Sequence, residues 1–147
     1  MEIVIESRSR LSREMFVEML AEADARGHKC VRRLVDEWES GRNRFCRENE
    51  ALFVARDEDR IIGVCGLNID PYQPAQTVGR VRHLYVIEAY RRCGIGRQLV
   101  ERVIEEARGR FTMLRLRTNS PEAAAFYARI GFARADGVEN CSHAMTL

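Results

Sequence analysis

Apolar residues recur along this chain at two different intervals, and the points where the interval changes divide it into elements. Glu2–Glu6 alternates as a short strand. Over Ser7–Gly27, Leu11, Met15, Phe16, Met19 and Leu20 recur at three and four residues, which predicts one amphipathic helix ended by Gly27. A second helix over His28–Gly41 carries Val31, Leu34, Val35 and Trp38 on one side. Ala51–Arg56 and Arg60–Ile69 are rich in strand formers and flank a short polar turn, which predicts a hairpin. Asp70–Gly79 holds two of the three prolines and is expected to be a loop, followed by a strand over Arg80–Ile87. Gly94–Gly109 places Leu99, Val100, Val103, Ile104 and Ala107 on one helical face. Thr112–Thr118 alternates as a half-buried strand. Ser120 then caps, and Pro121 opens, a helix that Gly131 ends. Short strands near Phe132–Ala135 and Cys141–Leu147 close the chain.

The resulting order, β-α-α-β-β-β-α-β-α-β-β, predicts a mixed α/β fold with helices on both faces of a sheet of about seven strands. A chain of 147 residues suits a single domain, 1–147, with one core. No apolar run approaches the ~18 residues needed to cross a membrane. The N-terminus is too acidic, and its apolar part too short, for a secretion signal. A soluble cytoplasmic protein without a membrane partner is expected. The five cysteines are odd in number with no C-x-x-C pair, which fits reduced thiols better than disulfides or a zinc site. The three histidines are scattered, so no metal is expected. A net charge of +2, with the arginines interspersed among 22 acidic residues, gives no tract for nucleic acid, and none is expected as a partner. Only Lys29 is lysine among the basic residues. The arginine fork suits carboxylates and phosphates, although codon bias in the source genome accounts for the same preference.

Candidate chemistry concentrates in "YVIEAYRRCGIGRQLV", Tyr85 to Val100. A strand running into Arg91-x-x-Gly94-x-Gly96 and then a helix offers free backbone N–H groups and partial positive charge to an anion. Glycine lets the backbone come close to such a group. A dinucleotide fingerprint would need a third glycine where Leu99 stands, and a P-loop would need Gly-Lys-Ser/Thr. A pyrophosphate on a longer cofactor remains, beside the plain alternative of a tight strand-to-helix turn.

"LYVIEAYRRCGIGRQLV" resembles the acetyl-coenzyme A loop of the GNAT superfamily of N-acetyltransferases, and "TNSPEAAAFYARIGF" is similar to that family's later motif. Both stand in the family's order, and the two helices and hairpin upstream match it too. The resemblance implies a mostly antiparallel GNAT sheet and acetyl-coenzyme A as cosubstrate. It implies that the amides of Arg92, Cys93, Gly94, Ile95, Gly96 and Arg97, beside Arg91, cradle the pyrophosphate. The backbone of Leu84, Tyr85 and Val86 would pair with the pantetheine arm. The Val86 N–H would hold the oxyanion, a donor typically worth ~3 kcal/mol. Asn119 would touch the pantetheine or nearby backbone, and Tyr127 would protonate the departing thiolate. The acceptor would be a small-molecule or peptide amine. Homodimers are common in the family.

The chain departs from the family where a general base is expected. Strand alternation puts Arg80, Arg82 and Leu84 on one face and Val81, His83 and Tyr85 on the other, with any bulge expected near Leu84. The two positions for a base are therefore Arg80 and Arg82, and arginine does not deprotonate. His83 is expected on the wrong face, leaving Glu88, Asp70, a water relay, or an amine that enters unprotonated and needs no base. Two arginines on the acceptor side would favour an amine that also bears a carboxylate or phosphate, unless carboxylates of the first two helices pair with them. Cys93, between arginines at a helix start, is a candidate reactive thiol or a plain loop residue. An acyl-coenzyme A-binding module without chemistry is the alternative function.

Overall fold

The computed structural model describes residues 2–147. Its centre is β3 (Arg60–Ile69), buried from Ile61 to Asn68 on both faces, as its unbroken apolar run demands. β2 (Ala51–Asp57) and β4 (Val78–Val86) flank it antiparallel, with β1 (Ile3–Ser7) outside β2. Beyond β4 come β5 (Met113–Leu116), β7 (His143–Thr146) and the two-residue edge strand β6 (Ala133–Arg134). The seven-stranded order is β1-β2-β3-β4-β5-β7-β6, antiparallel except between β4 and β5. The seven strands match the count expected from the element order, and their mostly antiparallel pairing is what the resemblance implied.

α3 (Ile95–Ala107) lies on one face, burying Leu99, Val100, Val103, Ile104 and Ala107. Gly63 of β3 makes room for it, since a Cβ there would stand 3.0 Å from Leu99 Cδ1. α1 (Val17–Ala25) and α2 (Cys30–Ser40) cover the other face. The single helix expected over Ser7–Gly27 is broken: Arg13–Phe16 forms a 3-10 turn capped by the Ser12 hydroxyl, and α1 begins after it. Gly41 ends α2 in the left-handed region, φ 78°. The loop expected over Asp70–Gly79 is shorter, because β4 already starts at Val78. α4 (Pro121–Ile130) starts from the expected Ser120 cap, whose hydroxyl accepts from the Ala123 N–H at 3.2 Å.

The segment between α2 and β2 is pinned across the end of β3 by a buried amide pair. Asn43 and Asn68 exchange bonds of 2.9 and 3.0 Å, and Asn68 also donates to Glu50 at 3.0 Å. The pinning seats the Phe45 ring directly over Gly66.

A candidate active site in the split between β4 and β5

β4 and β5 pair only at Val78–Arg80 with Met113–Arg115. Beyond Arg80 the two strands part, and the outer edge of β4 from Val81 to Val86 has no neighbouring strand. Ile87 donates its N–H to the Ile62 carbonyl at 2.9 Å. By the alternation of antiparallel bonding, Val86 therefore turns its own N–H and C=O away from β3, into the split. Arg91 folds back to donate its Nε to the Val86 carbonyl at 2.8 Å, with its guanidinium 5.2 Å from the centre of the Tyr85 ring. The carbonyl is thereby satisfied while the Val86 N–H stays open.

The loop after β4 makes the tight turn into α3 that the sequence predicted. Arg92 (φ 64°) and Gly94 (φ 77°) both adopt left-handed backbone, turning successive N–H groups toward one side. Gly94 caps α3 without any side-chain bond, which leaves the first-turn amides to a ligand. A Cβ on Gly96 would face Phe126 of α4 at 3.6 Å and Val86 Cγ2 at 3.8 Å, so this glycine joins loop, strand end and α4. Arg92, Cys93, Gly94 and Arg97 are exposed at the mouth. The Cys93 thiol turns back toward the Arg91 carbonyl at 3.6 Å. Asn119 is exposed beyond the end of β5.

Tyr127 of α4 is 8% exposed, its ring set edge-on between Phe126 and Phe132 with centroid distances of 5.1 and 5.6 Å. Burial, with the Cys65 and Cys30 thiols adding to it, pushes its phenol well above the ordinary range, so the group stays protonated. Cys65 is the β3 residue where the register with β4 shifts, so Tyr127 sits within electrostatic reach of the bulge.

That bulge corrects the sequence analysis. It falls where it was expected, at His83 and Leu84 opposite Cys65, with His83 left-handed (φ 60°), and it reverses the parity of the residues downstream. Register pairs Asn68 with Arg80, Gly66 with Arg82 and Val64 with Tyr85, so Arg80, Arg82 and Tyr85 share the α1–α2 face. His83 joins them, its ring edge-on to Phe45 at 6.3 Å and its Nε2 3.9 Å from Glu37 Oε1 of α2. Tyr85, expected on the opposite face, donates its hydroxyl to Glu22 of α1, which also accepts from the Glu88 N–H at 3.1 Å. Burial and Glu22 raise the Tyr85 phenol to about 12.

The two strand arginines have different surroundings. Arg80 is 7% exposed, stacked 4.8 Å from the Tyr72 ring centre and bonded to Asp70 at 3.3 Å. Asp70, also 3.6 Å from Arg115 and fully buried in its side chain, is thereby engaged on both sides and unsuited to the role of base. The Glu88 side chain is 74% exposed and faces Arg26 at 3.5 Å. Arg82 is half-buried and reaches Glu37 Oε1 at 3.8 Å. A cleft of about 620 Å³ lies along α2 and the turn before it, lined by residues of 24–42 alone, among them Asp24, His28, Arg33, Asp36, Glu37 and Arg42. Glu37 was missed by sequence reasoning. Its one signal is its place three residues after Leu34, a carboxylate on the border of the apolar stripe of α2. Among the described residues, no three His, Cys, Asp or Glu side chains gather as metal ligands, and no helix is long and apolar enough to cross a membrane.

Burial pushes the His83 imidazole down to about 3, with the charges of Arg82 and Arg33 adding to the effect. The unfolded chain therefore takes up this proton near pH 6.5, while the folded protein resists it until about pH 3. Stability from this group is complete above about pH 6.5 and falls as the pH drops through that window, by on the order of 1.4 kcal/mol per pH unit. His83→Asn, which tolerates the left-handed backbone, should remove this slope. Urea midpoints of the two proteins at about pH 7 and about pH 5 should differ in acid sensitivity by about 2 kcal/mol. Parallel acid sensitivity would show that His83 is not held neutral.

The fold is that of an acyltransferase family. The model of the acetyltransferase (GNAT) domain family matches residues 48–134, and the chain belongs to that family. The crystal structure of an acetyltransferase candidate from Exiguobacterium sp. 255-15 superposes with a TM-score of 0.87 at 26% identity, covering 99% of this chain and 94% of that one. A GNAT acetyltransferase from Staphylococcus aureus Mu50 shares the fold at 19% identity, with a TM-score of 0.77 over 99% of each chain. So does a GNAT acetyltransferase from Elizabethkingia anophelis crystallised with acetyl-CoA, at 20% identity and a TM-score of 0.63 over 99% of this chain and 98% of that one. The family match stops short of residues 1–47, which hold α1, α2 and Glu37.

Proposed function

We propose that this protein is an acetyl-CoA-dependent N-acetyltransferase acting on a primary amine that also carries a carboxylate or phosphate. One observation carries the reading: a strand end with an open N–H lines a split in the sheet, next to a loop of free amides. Pyrophosphate suits that loop, where Arg92 and Gly94 turn the backbone left-handed. Bound acetyl-CoA supplies the activated acetyl thioester. The Leu84–Val86 backbone lines the channel for its arm, and Asn119 lies at the far wall of the split. The Val86 N–H is aimed to hold charge developing on an acyl oxygen, and Tyr127 keeps a proton ready for a leaving sulfur.

The acceptor class follows from charge. Arg33 and Arg42 line the α2 cleft without an ion pair among the described residues, and Arg82 reaches Glu37, one of its lining residues, at 3.8 Å. Arg80 belongs with Asp70 and serves to stiffen the strand beside it. Of the lining carboxylates, Asp24 and Asp36 are paired with Arg32 and Arg13, so the free guanidinium groups of Arg33 and Arg42 fit an amino acid or short peptide better than a polyamine.

Acetyl-CoA should release free thiol with amino acids or peptide N-termini, and little with polyamines or aminoglycosides, in a thiol-trapping assay over such a panel. Coenzyme A binding without thiol release for any amine would instead support a binding module. A preference for polycations unchanged in Arg82→Ala would remove the acceptor assignment.

A further inference from the structure

One carboxylate of α1 holds the end of β4 from two sides. Glu22 follows Met19 by three positions and precedes Ala23, both buried, so the apolar stripe of α1 carries it against the sheet. It accepts from the Tyr85 hydroxyl and, at 3.1 and 3.2 Å, from the Glu88 N–H shared between its two oxygens. Tyr85 and Glu88 bracket Val86 and Ile87, so a single side chain ties down the residues before and after the open N–H. Between them, Ile87 donates its N–H to Ile62, and the Val86 carbonyl accepts from Arg91. The Arg91 guanidinium lies 5.2 Å from the Tyr85 ring centre, and the His28 ring meets the same ring edge-on at 6.2 Å. Tyr85 is thus the piece that Glu22, Arg91 and His28 share. Burial and Glu22 raise its phenol to about 12, so the hydroxyl stays a donor at neutral pH.

We propose that Glu22 is a positioning residue of acetyl transfer: through Tyr85, Arg91 and the Glu88 N–H it fixes the strand end, so that the Val86 N–H meets the acyl oxygen without reorganising. The inference rests on the acetyltransferase reading above and deepens it. A donor aimed at developing charge is most effective when it is already in place before the reaction. Here the groups on either side of the Val86 N–H are each partnered, and the partners are themselves tied to a helix. Glu22 touches no reacting atom and exchanges no proton. It lies outside residues 48–134, so the clasp comes from a part of the chain that the family match does not cover. His28 lines the α2 cleft and abuts Tyr85, which joins the clasp to the cleft as well as to the strand end.

With the most active amine of the panel, Glu22→Ala should lower kcat roughly 10–10²-fold, the scale of a small misplacement at a reacting centre. The KM for acetyl-CoA, and coenzyme A affinity by calorimetry, should stay within about threefold of wild type. Glu22→Gln keeps an acceptor oxygen and should restore part of the rate. Tyr85→Phe keeps the ring beside Arg91 and loses only the hydroxyl. It should show the same split at smaller size, and added to Glu22→Ala it should cost almost nothing more. The ketone analogue of acetyl-CoA, with a methylene between sulfur and acetyl group, presents the same oxygen without reacting. It should move the Val86 amide proton resonance further than coenzyme A does in wild type, and this difference should shrink in Glu22→Ala. A kcat within about threefold of wild type in Glu22→Ala, or an undiminished Val86 shift, would overturn the positioning role and leave the acetyltransferase standing. Coenzyme A affinity lost in step with kcat would overturn it in favour of a structural role. Absence of thiol release from wild type with every amine would overturn both readings.

Discussion

Tyr127→Phe is expected to lower kcat by about 10²-fold or more while coenzyme A binding and Tm stay near wild type. The ring is held by Phe126 and Phe132, and phenylalanine keeps both contacts. Only the hydroxyl is lost, and no hydrogen bond enters the forces acting on it. Removing it costs little stability, since no hydrogen bond within the protein is lost with it. What disappears is a proton donor beside the split. Burial raises this phenol, so it carries its proton over the whole working pH range and should impose no alkaline limb of its own below about pH 10. Steady-state kinetics beside calorimetry would decide the matter. An unchanged kcat would mean that the thiolate departs without help from Tyr127.

Gly66→Ala is expected to destabilise the protein although it adds a single methyl group to a strand. The new Cβ would stand 2.4 Å from Phe45 Cε1 and 2.9 Å from its Cζ. The ring has little freedom to retreat. Phe45 is 6% exposed, has left-handed backbone (φ 53°) and donates its N–H to Asn43 at 3.1 Å. Overpacking of this kind costs about 1–3 kcal/mol, against a gain of ~0.5–1 kcal/mol for replacing glycine within a strand. A net loss of about 1–2 kcal/mol lowers Tm by roughly 2–8 °C in a chain of this size. Because Phe45 also abuts His83, kcat should fall with it. A Tm equal to wild type would show that the ring moves aside freely.

Features that depend on local periodicity were legible in the sequence. The 51–69 hairpin, the glycine turn into α3 and the Ser120–Pro121 start of α4 each announce themselves within a few residues. The reversal of parity at the bulge did not, because nothing in "VRHLYV" marks His83 as the residue that turns left-handed; its register with β3 decides it. Alternation continued through that point assigns His83 and Tyr85 to the wrong side. Glu37 was hidden for a different reason: its meaning depends on a residue 46 positions away, His83, that only the packing of α2 on β4 brings near. The engagement of Arg80 by Asp70 and of Arg91 by the Val86 carbonyl are likewise tertiary facts. Sequence showed which guanidinium groups were available, and packing decided which were already committed.

Arg91 has a consequence beyond the chemistry. A strand edge offering both donors and acceptors invites another chain to zip onto it, which is the usual route to aggregation. Here the bare edge lies inside the sheet, walled by β5, and its last carbonyl is already occupied. Position and polarity thus both shield this edge from pairing with a second polypeptide.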